Sequence, residues 1–104
     1  MDLPIDNMHA PLYTVGQVAM MLSVQPAFLR RLDAEQVVMP ERTEGGQRRY
    51  SRAEIHQIQR VNELADEGMT LVGIRRMLVL EAELVALRNE VAELQAALHR
   101  SGPG

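Results

Sequence analysis

The sequence of 104 residues contains no cysteine, no lysine and no tryptophan. Without cysteine, disulfide scaffolds, iron–sulfur clusters, thiolate zinc sites and thiol redox switches are excluded. The histidines His9, His56 and His99 lie far apart and have no ligand-spaced acid or histidine beside them, so we expect neither a metal nor a cofactor.

Long apolar runs are missing as well. No stretch of eighteen apolar residues occurs, and the first eleven residues carry acids where a signal peptide carries positive charge. We therefore expect a cytoplasmic protein without a membrane partner. A chain of this length holds one domain, and it contains no nucleophile, acid/base pair or phosphate loop, so we do not expect an enzyme.

The net charge of −3 at first argues against a nucleic-acid partner, because affinity for DNA depends on neutralising phosphates. The basic residues are, however, all arginine, and six of them fall between residues 30 and 52 together with four acids. Guanidinium groups make bidentate contacts to phosphate or guanine. Taken singly, each arginine is equally consistent with a solvated side chain beside an Asp or Glu.

Two short helices are predicted near the start of the chain. Thr14 and Gln17 form a capping-box pattern, followed by helical spacing of apolar residues to about Leu22. Pro26 suits the first turn of a second helix that runs to about Glu35. Two such helices joined by about three residues have the dimensions of a helix-turn-helix.

A β-hairpin is predicted next, with Gly45 and Gly46 as a two-residue turn whose positive φ angles glycine supplies. Its arms are residues 42–44 and 47–50. Period-two alternation places Arg48 and Tyr50 on one face and Arg49 on the other. One face is therefore free to pack inward while the other meets a partner.

Two further helices are predicted in the second half. Ser51 and Glu54 form another capping box, and Gly68 ends the helix that they open. Thr70 caps a last helix that extends to about Arg100. This helix carries an apolar stripe with heptad spacing, which consists of Met77, Leu80, Leu84, Leu87, Val91, Leu94 and Leu98.

The apolar stripe is about 33 Å long and needs a partner surface. Folding back onto its own domain is one option, but a domain of about sixty residues has little spare apolar face. We favour a homodimer through a coiled coil. The flanking charges, three glutamates and Arg88, do not fix a parallel arrangement.

These patterns predict a mainly α fold: a winged helix-turn-helix with a small β-hairpin wing and a long C-terminal dimerisation helix. We expect a flexible leader at residues 1–11 and a DNA-binding domain at 12–75. A coiled-coil helix then occupies 76–100 and a disordered tail 101–104.

The stretch YTVGQVAMMLSVQPAFLRRLDAEQVVMPERTEGGQRRYSRAEI resembles the DNA-binding domain of the MerR family of bacterial transcription regulators. The resemblance continues through EGMTLVGIRRML into the helix that this family uses for antiparallel dimerisation. RTEGGQRRYS and EGMTLVGIRRMLVLEAEL look most like the heat-shock repressor (HspR-type) branch. The resemblance implies double-stranded DNA as partner, repression of chaperone operons in a stress response, and a chaperone as co-regulator. We expect no small-molecule effector, because the sequence reaches Gly104 without a segment resembling an effector-binding domain.

The resemblance places Arg30 at a family position used on DNA, and Arg42, Arg48, Arg49 and Tyr50 in the wing. Departures from the family pattern are Arg31 and Leu32 in place of tyrosine, Phe28 in place of threonine and Gln36 in place of glycine. The residue types at the start of the second helix give further candidates. Gln25 is suited to hydrogen-bond adenine, and Ala27 or Phe28 to contact a thymine methyl. The candidate DNA-contacting residues are Thr14, Gln25, Ala27, Phe28, Arg30, Arg31, Arg42, Gln47, Arg48, Arg49 and Tyr50.

The favoured function is a homodimeric regulator, repressor rather than activator, that reads a pseudo-palindromic operator with paired helices and wings. An alternative function is a coiled-coil assembly adaptor that recruits a protein and binds no DNA. The dependence of duplex binding on salt distinguishes the two.

Overall fold

A computed structural model describes residues 6–102 and contains four helices and one hairpin in that range. The elements are α1 (Val15–Leu22), α2 (Pro26–Ala34), β1 (Glu41–Arg42), β2 (Arg48–Arg49), α3 (Arg52–Asp66) and α4 (Leu71–Ser101). The predicted order of two short helices, a hairpin and two further helices is confirmed.

The helices begin at the residues that the sequence marks as caps. Thr14 and Ser51 each accept a hydrogen bond from the backbone three residues on, and Gln17 and Glu54 complete the two capping boxes. Thr70 Oγ1 accepts from the N–H of Gly73 at 3.1 Å. Each side chain satisfies an N–H that the first turn of a helix leaves without a carbonyl partner.

The ends of α1, α2 and α3 share one geometry. After each helix stands a residue in the left-handed region, with φ 55° at Ser23, 59° at Gln36 and 96° at Gly68. The next residue, respectively Val24, Val37 or Met69, donates its N–H to the carbonyl five positions back. These are Schellman motifs, and only the last of the three has the glycine that usually occupies this position.

The hydrophobic core lies between the three shorter helices, the segment after α2 and the first turn of α4. α1 contributes Val18 and Ala19, α2 contributes Leu29 and Leu32, and Val37, Val38 and Tyr50 lie in the connections. The buried residues of the later helices are Ile55, Ile58, Val61, Leu64, Leu71 and Ile74. In α3 the buried residues recur every three positions, as expected for the inner side of an amphipathic helix.

The hairpin loop differs from the predicted two-residue turn. Arg42 pairs with Arg48, and the next pair is joined by the Thr43 N–H donating to the Gln47 carbonyl at 2.8 Å. Three residues therefore form the loop, and only Gly46 has a positive φ, of 82°. The N–H of Gly46 also donates to Thr43 O at 2.9 Å. A type I turn followed by a left-handed glycine needs one such residue, whereas the predicted turn needs two.

The leader predicted at residues 1–11 is attached to the domain in its described part. The Ala53 N–H donates to the Met8 carbonyl at 3.0 Å, and Arg52 Nη2 donates to Asp6 O at 3.4 Å. Residues 1–5 lie outside the described residues. Of the tail predicted at 101–104, Ser101 is helical, and residues 103 and 104 are also outside that range.

The chain divides into two compact units, with Ile74 the last residue of the first and Arg75 the first of the second. Within the second unit, six of the seven apolar-stripe residues are exposed, and Met77 is partly buried. None of the helices described is both long enough and apolar enough to cross a bilayer.

Candidate nucleic-acid interface

The α2 helix presents polar and small side chains to solvent at its first two turns. Gln25, at the N-cap, makes no side-chain capping bond and is exposed, as is Ala27, while Phe28 is partly buried. Leu29 and Leu32 lie in the core and hold the helix in place. These first turns thus offer an amide and a methyl group at the surface, which are groups that hydrogen-bond adenine and contact thymine in the major groove.

Two adjacent arginines on α2 have different surroundings. Arg31 Nε donates to Glu35 Oε2 at 2.7 Å in an exposed i, i+4 ion pair. Arg30 is exposed, and no carboxylate among residues 6–102 lies within ion-pair distance of it. Exposed i, i+4 pairs contribute only about 0.3–0.5 kcal/mol. Both guanidinium groups are therefore available to an anion, and Arg30 can bind one without first breaking an ion pair.

The hairpin of residues 41–49 forms the wing. On its β2 strand, Arg49 Nη1 donates to the Arg48 carbonyl at 3.0 Å and Nη2 donates to Gln47 Oε1 at 3.3 Å. These bonds leave the Arg49 charge without a carboxylate partner among residues 6–102. Arg49 is the wing residue whose positive charge is best suited to a phosphate.

The other two wing arginines bind one carboxylate of α2. Arg48 Nε donates to Asp33 Oδ2 at 2.7 Å, and Arg42 Nη2 donates to the same oxygen at 2.9 Å. The sequence shows Asp33 only as one of four acids that lower the charge of the arginine-rich segment. Its pairing depends on how the wing is placed against α2, which no local spacing reveals.

Tyr50 was predicted to contact DNA from the wing, and here the structure corrects the prediction. Its side chain is 1% exposed and lies in the core, and its backbone exchanges both hydrogen bonds with Tyr13. Burial raises the pKa of the Tyr50 phenol above its ordinary value of 10.0. The Tyr50 side chain therefore packs into the domain at the base of the wing and does not reach a ligand.

A shallow depression of about 380 Å³ lies between the start of α1 and the wing. Its lining residues are Thr14, Val15, Gly16, Gly46, Gln47, Arg48 and Arg49. The first N–H groups of a helix have no carbonyl partner inside the helix and favour a negative charge. Thr14 Oγ1 meanwhile accepts from Gln17 N at 3.1 Å. The depression therefore places the start of a helix beside Arg49, whose charge has no carboxylate partner among residues 6–102, and this setting suits a phosphate of a nucleic-acid backbone.

Sequence reasoning missed Val15 and Gly16 in this depression. The capping box offers a usable signal, since it marks where the N–H groups of α1 begin. It could not show that the wing folds next to them, because the pairing of Tyr13 with Tyr50 joins segments far apart in the chain. Among residues 6–102 no group of three His, Asp or Glu side chains is arranged to hold a metal ion.

Comparison with known proteins identifies the family to which the chain is similar. A family model described as MerR HTH family regulatory protein matches residues 13–80. The chain is 39% identical over 89 residues to a Streptomyces coelicolor protein that carries the name heat shock protein HspR. The match covers 85% of this chain and 59% of that protein, so the chain spans less than two thirds of this relative.

Two solved structures share the fold. One is MtaN, the N-terminus of the Bacillus subtilis multidrug transporter activator, with a TM-score of 0.60 and 24% identity over 86% of this chain and 96% of that one. The other is HiNmlR, a MerR family regulator lacking the sensor domain and bound to promoter DNA. Its TM-score is 0.57, with 22% identity over 84% of this chain and 78% of that one. Both likenesses confirm the predicted winged helix-turn-helix, and the family match over most of the first unit shows that the chain belongs to the MerR HTH family of transcription regulators, which are not enzymes.

Proposed function

We propose that this protein is a homodimeric transcription regulator that reads a pseudo-palindromic operator and represses the genes next to it. The observation that carries the proposal is the pairing of two surfaces within one domain. The exposed start of α2 bears Gln25, Ala27 and Arg30, and the wing, with Arg49, is fixed to the same helix through Asp33. We infer that α2 enters the major groove as the recognition helix while the wing and the start of α1 hold phosphates.

Residue by residue, we assign base contacts to Gln25, Ala27 and Phe28. Arg30 and Arg31 follow within one turn and lie at the groove edge, where guanidinium reaches guanine or a phosphate. Gln47, Arg49 and the helix start next to Thr14 contact the backbone. The MerR family regulator HiNmlR was solved bound to promoter DNA, which supports the same use of this fold here.

The homodimer is supported by the apolar stripe. Leu80, Leu84, Leu87, Val91, Leu94 and Leu98 are all exposed in the single chain. Full burial of each such side chain stabilises an assembly by about 1.5–3 kcal/mol, so pairing with a second copy is strongly favoured. A dimer with two-fold symmetry requires an operator whose half-sites repeat with the same symmetry.

Repression and a chaperone co-regulator are proposed from the HspR relative, whose name refers to heat shock. We place the protein in the cytoplasm, because its proposed target is bacterial DNA. The adaptor function is the second candidate, favoured by the same exposed stripe if its partner is another protein.

The test begins with selection of bound sequences from random duplex by the full chain. We expect an enriched site with a two-fold repeat, whereas an adaptor enriches no site.

Fluorescence anisotropy then compares Arg49→Ala with Arg100→Ala, which removes the same charge from the far end of α4. Arg49→Ala should weaken selected and unrelated duplexes about equally, as expected when a phosphate contact is removed, while Arg100→Ala leaves both affinities near the wild-type values. A loss confined to one base position contradicts the assignment of the wing.

A further inference from the structure

We propose that Asp33 is a positioning residue for DNA binding, whose carboxylate fixes the wing against the recognition helix α2. The same bonds withdraw Arg48 from direct phosphate contact and turn it into a structural link. This inference rests on the proposed function, and it gives Arg48 a structural role that differs from the phosphate contact proposed for Arg49.

The geometry joins three parts of the wing to one oxygen atom. Asp33 Oδ2 accepts from Arg48 Nε on β2 at 2.7 Å and from Arg42 Nη2 on β1 at 2.9 Å. Arg42 Nη1 then donates to the Gly46 carbonyl in the loop at 3.0 Å. Both strands and the loop of the wing are thus bound, directly or through Arg42, to a side chain of α2.

Burial shows which of the two arginines is committed to this role. The side chains of Asp33 and Arg48 are only 15% and 22% exposed, whereas that of Arg42 is 50% exposed. A partly buried, charge-assisted bond of 2.7 Å is short and strong, and breaking it leaves a charge poorly solvated. Arg48 is therefore held on Asp33, whereas half of the Arg42 side chain remains exposed to solvent.

The wing needs such a link because little else holds it. Each strand has two residues, and a two-stranded hairpin of this size is marginal by itself in water. Its base is fixed by the Tyr13–Tyr50 bridge, but that contact lies at one end only. Without Asp33, the loop end of the wing is free to move relative to α2, and a helix and wing that must contact one duplex together lose their fixed spacing.

The sign of the effect separates positioning from simple electrostatics. Removing a carboxylate beside a polyanion strengthens binding if only charge matters. If Asp33 positions the wing, its removal weakens binding in spite of the gain in positive charge. Asp33→Asn keeps the size of the side chain, and Glu44→Gln makes the same charge change at an exposed residue of the wing loop.

The experiment measures the affinity of the full chain for the selected operator and for an unrelated duplex, together with amide hydrogen exchange in the wing. We expect Asp33→Asn to lose at least about tenfold on the operator, to keep or gain affinity for unrelated duplex, and to exchange the Thr43 and Gly46 amides faster. Glu44→Gln should bind at least as tightly as wild type with unchanged exchange. Asp33→Glu, which retains the charge, should restore part of the loss.

A second pair of variants tests the role of Arg48 without changing Asp33. Removing one phosphate interaction from both protomers should reduce the slope of log K against log salt by about 1.8. We expect Arg49→Gln to show this reduction and Arg48→Gln to keep the wild-type slope while it weakens the operator complex. Equal reductions in slope for the two variants would overturn the structural role of Arg48.

The positioning role of Asp33 is overturned if Asp33→Asn binds the operator as tightly as Glu44→Gln, whether or not the wing amides exchange faster. A wild-type chain that binds no duplex contradicts the proposed function instead. In that case the exchange of Thr43 and Gly46 alone decides whether Asp33 holds the wing, and unchanged exchange in Asp33→Asn overturns that as well.

Discussion

The hydroxyl group of Tyr50 is buried and has no hydrogen-bond partner among the described residues. Since a buried polar group without a partner costs about 1–3 kcal/mol, its removal should not destabilise the fold. We expect Tyr50→Phe to leave the free energy of unfolding unchanged or to raise it by about 1 kcal/mol. Urea denaturation followed by circular dichroism measures this value, and duplex affinity should stay at the wild-type level. A clear loss of affinity in a stably folded Tyr50→Phe variant would show that the hydroxyl group takes part in DNA binding.

The raised pKa of Tyr50 also predicts how stability depends on alkaline pH. Burial disfavours the phenolate in the folded chain, so the folded state keeps its proton where an unfolded tyrosine, with a pKa of about 10, has lost it. This ionisation therefore leaves the free energy of unfolding unchanged below about pH 10 and lowers it as the pH rises above that value. Unfolding free energies of wild type should fall more steeply above about pH 10 than those of Tyr50→Phe. Parallel curves for the two proteins contradict this.

At the scale of single residues, Gln25 was a candidate from its place at the start of the second helix and Arg30 from the family resemblance. Both side chains are exposed. The wing arginines were less predictable, because their partner Asp33 is nine residues from Arg42 and fifteen from Arg48. Their roles depend on how the wing packs against α2, and this packing leaves no periodic signal in the sequence.

Among the elements, the ends of α1 and α2 hold residues that are strained by their backbone. A left-handed conformation costs an L-residue about 1–2 kcal/mol, and replacing that residue with glycine removes this cost. The gain is partly offset, because glycine has a larger conformational entropy in the unfolded chain. We expect Gln36→Gly to raise the free energy of unfolding by about 0.5–1 kcal/mol. Ser23→Gly should have the same sign. Thermal and urea unfolding of the variants provide the measurement.

The matched control for this prediction is Gln57→Gly, which places glycine at an exposed site inside α3. There the backbone is helical and the substitution should cost about 0.5–1 kcal/mol. Opposite signs at positions 36 and 57 would support the account of the helix ends. Destabilisation at both would show that glycine entropy outweighs the relief of strain at Gln36.

Helix starts were the most predictable features of the elements, because capping boxes are local patterns with a physical cause. Thr14, Ser51 and Thr70 all cap the helices expected of them. The loop of the hairpin was predicted less well. Two consecutive glycines permit several turns, and the one adopted depends on the register that Arg42 and Arg48 take.

For the molecule as a whole, the apolar stripe makes a direct prediction about assembly. Replacing Leu87 and Leu94 with Asp puts charges into the proposed seam, where burial without a partner is costly. Analytical ultracentrifugation should then show a monomer in place of a dimer, and affinity for the operator should drop by at least about tenfold because only one domain binds.

The control for the seam variant is a double replacement on the same helix, Ala82→Asp with Ala96→Asp, which adds the same charge on the side opposite the heptad positions. It should remain dimeric. A seam variant that sediments at the wild-type mass would show that the stripe packs on something other than a second copy. The oligomeric state could be predicted from sequence only as far as the spacing of the stripe, since its flanking charges do not specify orientation.

The central claim is that two such domains, joined through their long helices, bind one duplex together. The most direct test measures the affinity of the wild-type chain for its selected operator across salt concentrations, with the mass of the complex determined in parallel. If each protomer contacts about four phosphates, the log–log slope should be close to about −7, with two chains on each duplex. A chain that fails to bind duplex at low salt, or a complex with one chain per duplex and a slope of about half that value, would contradict the account.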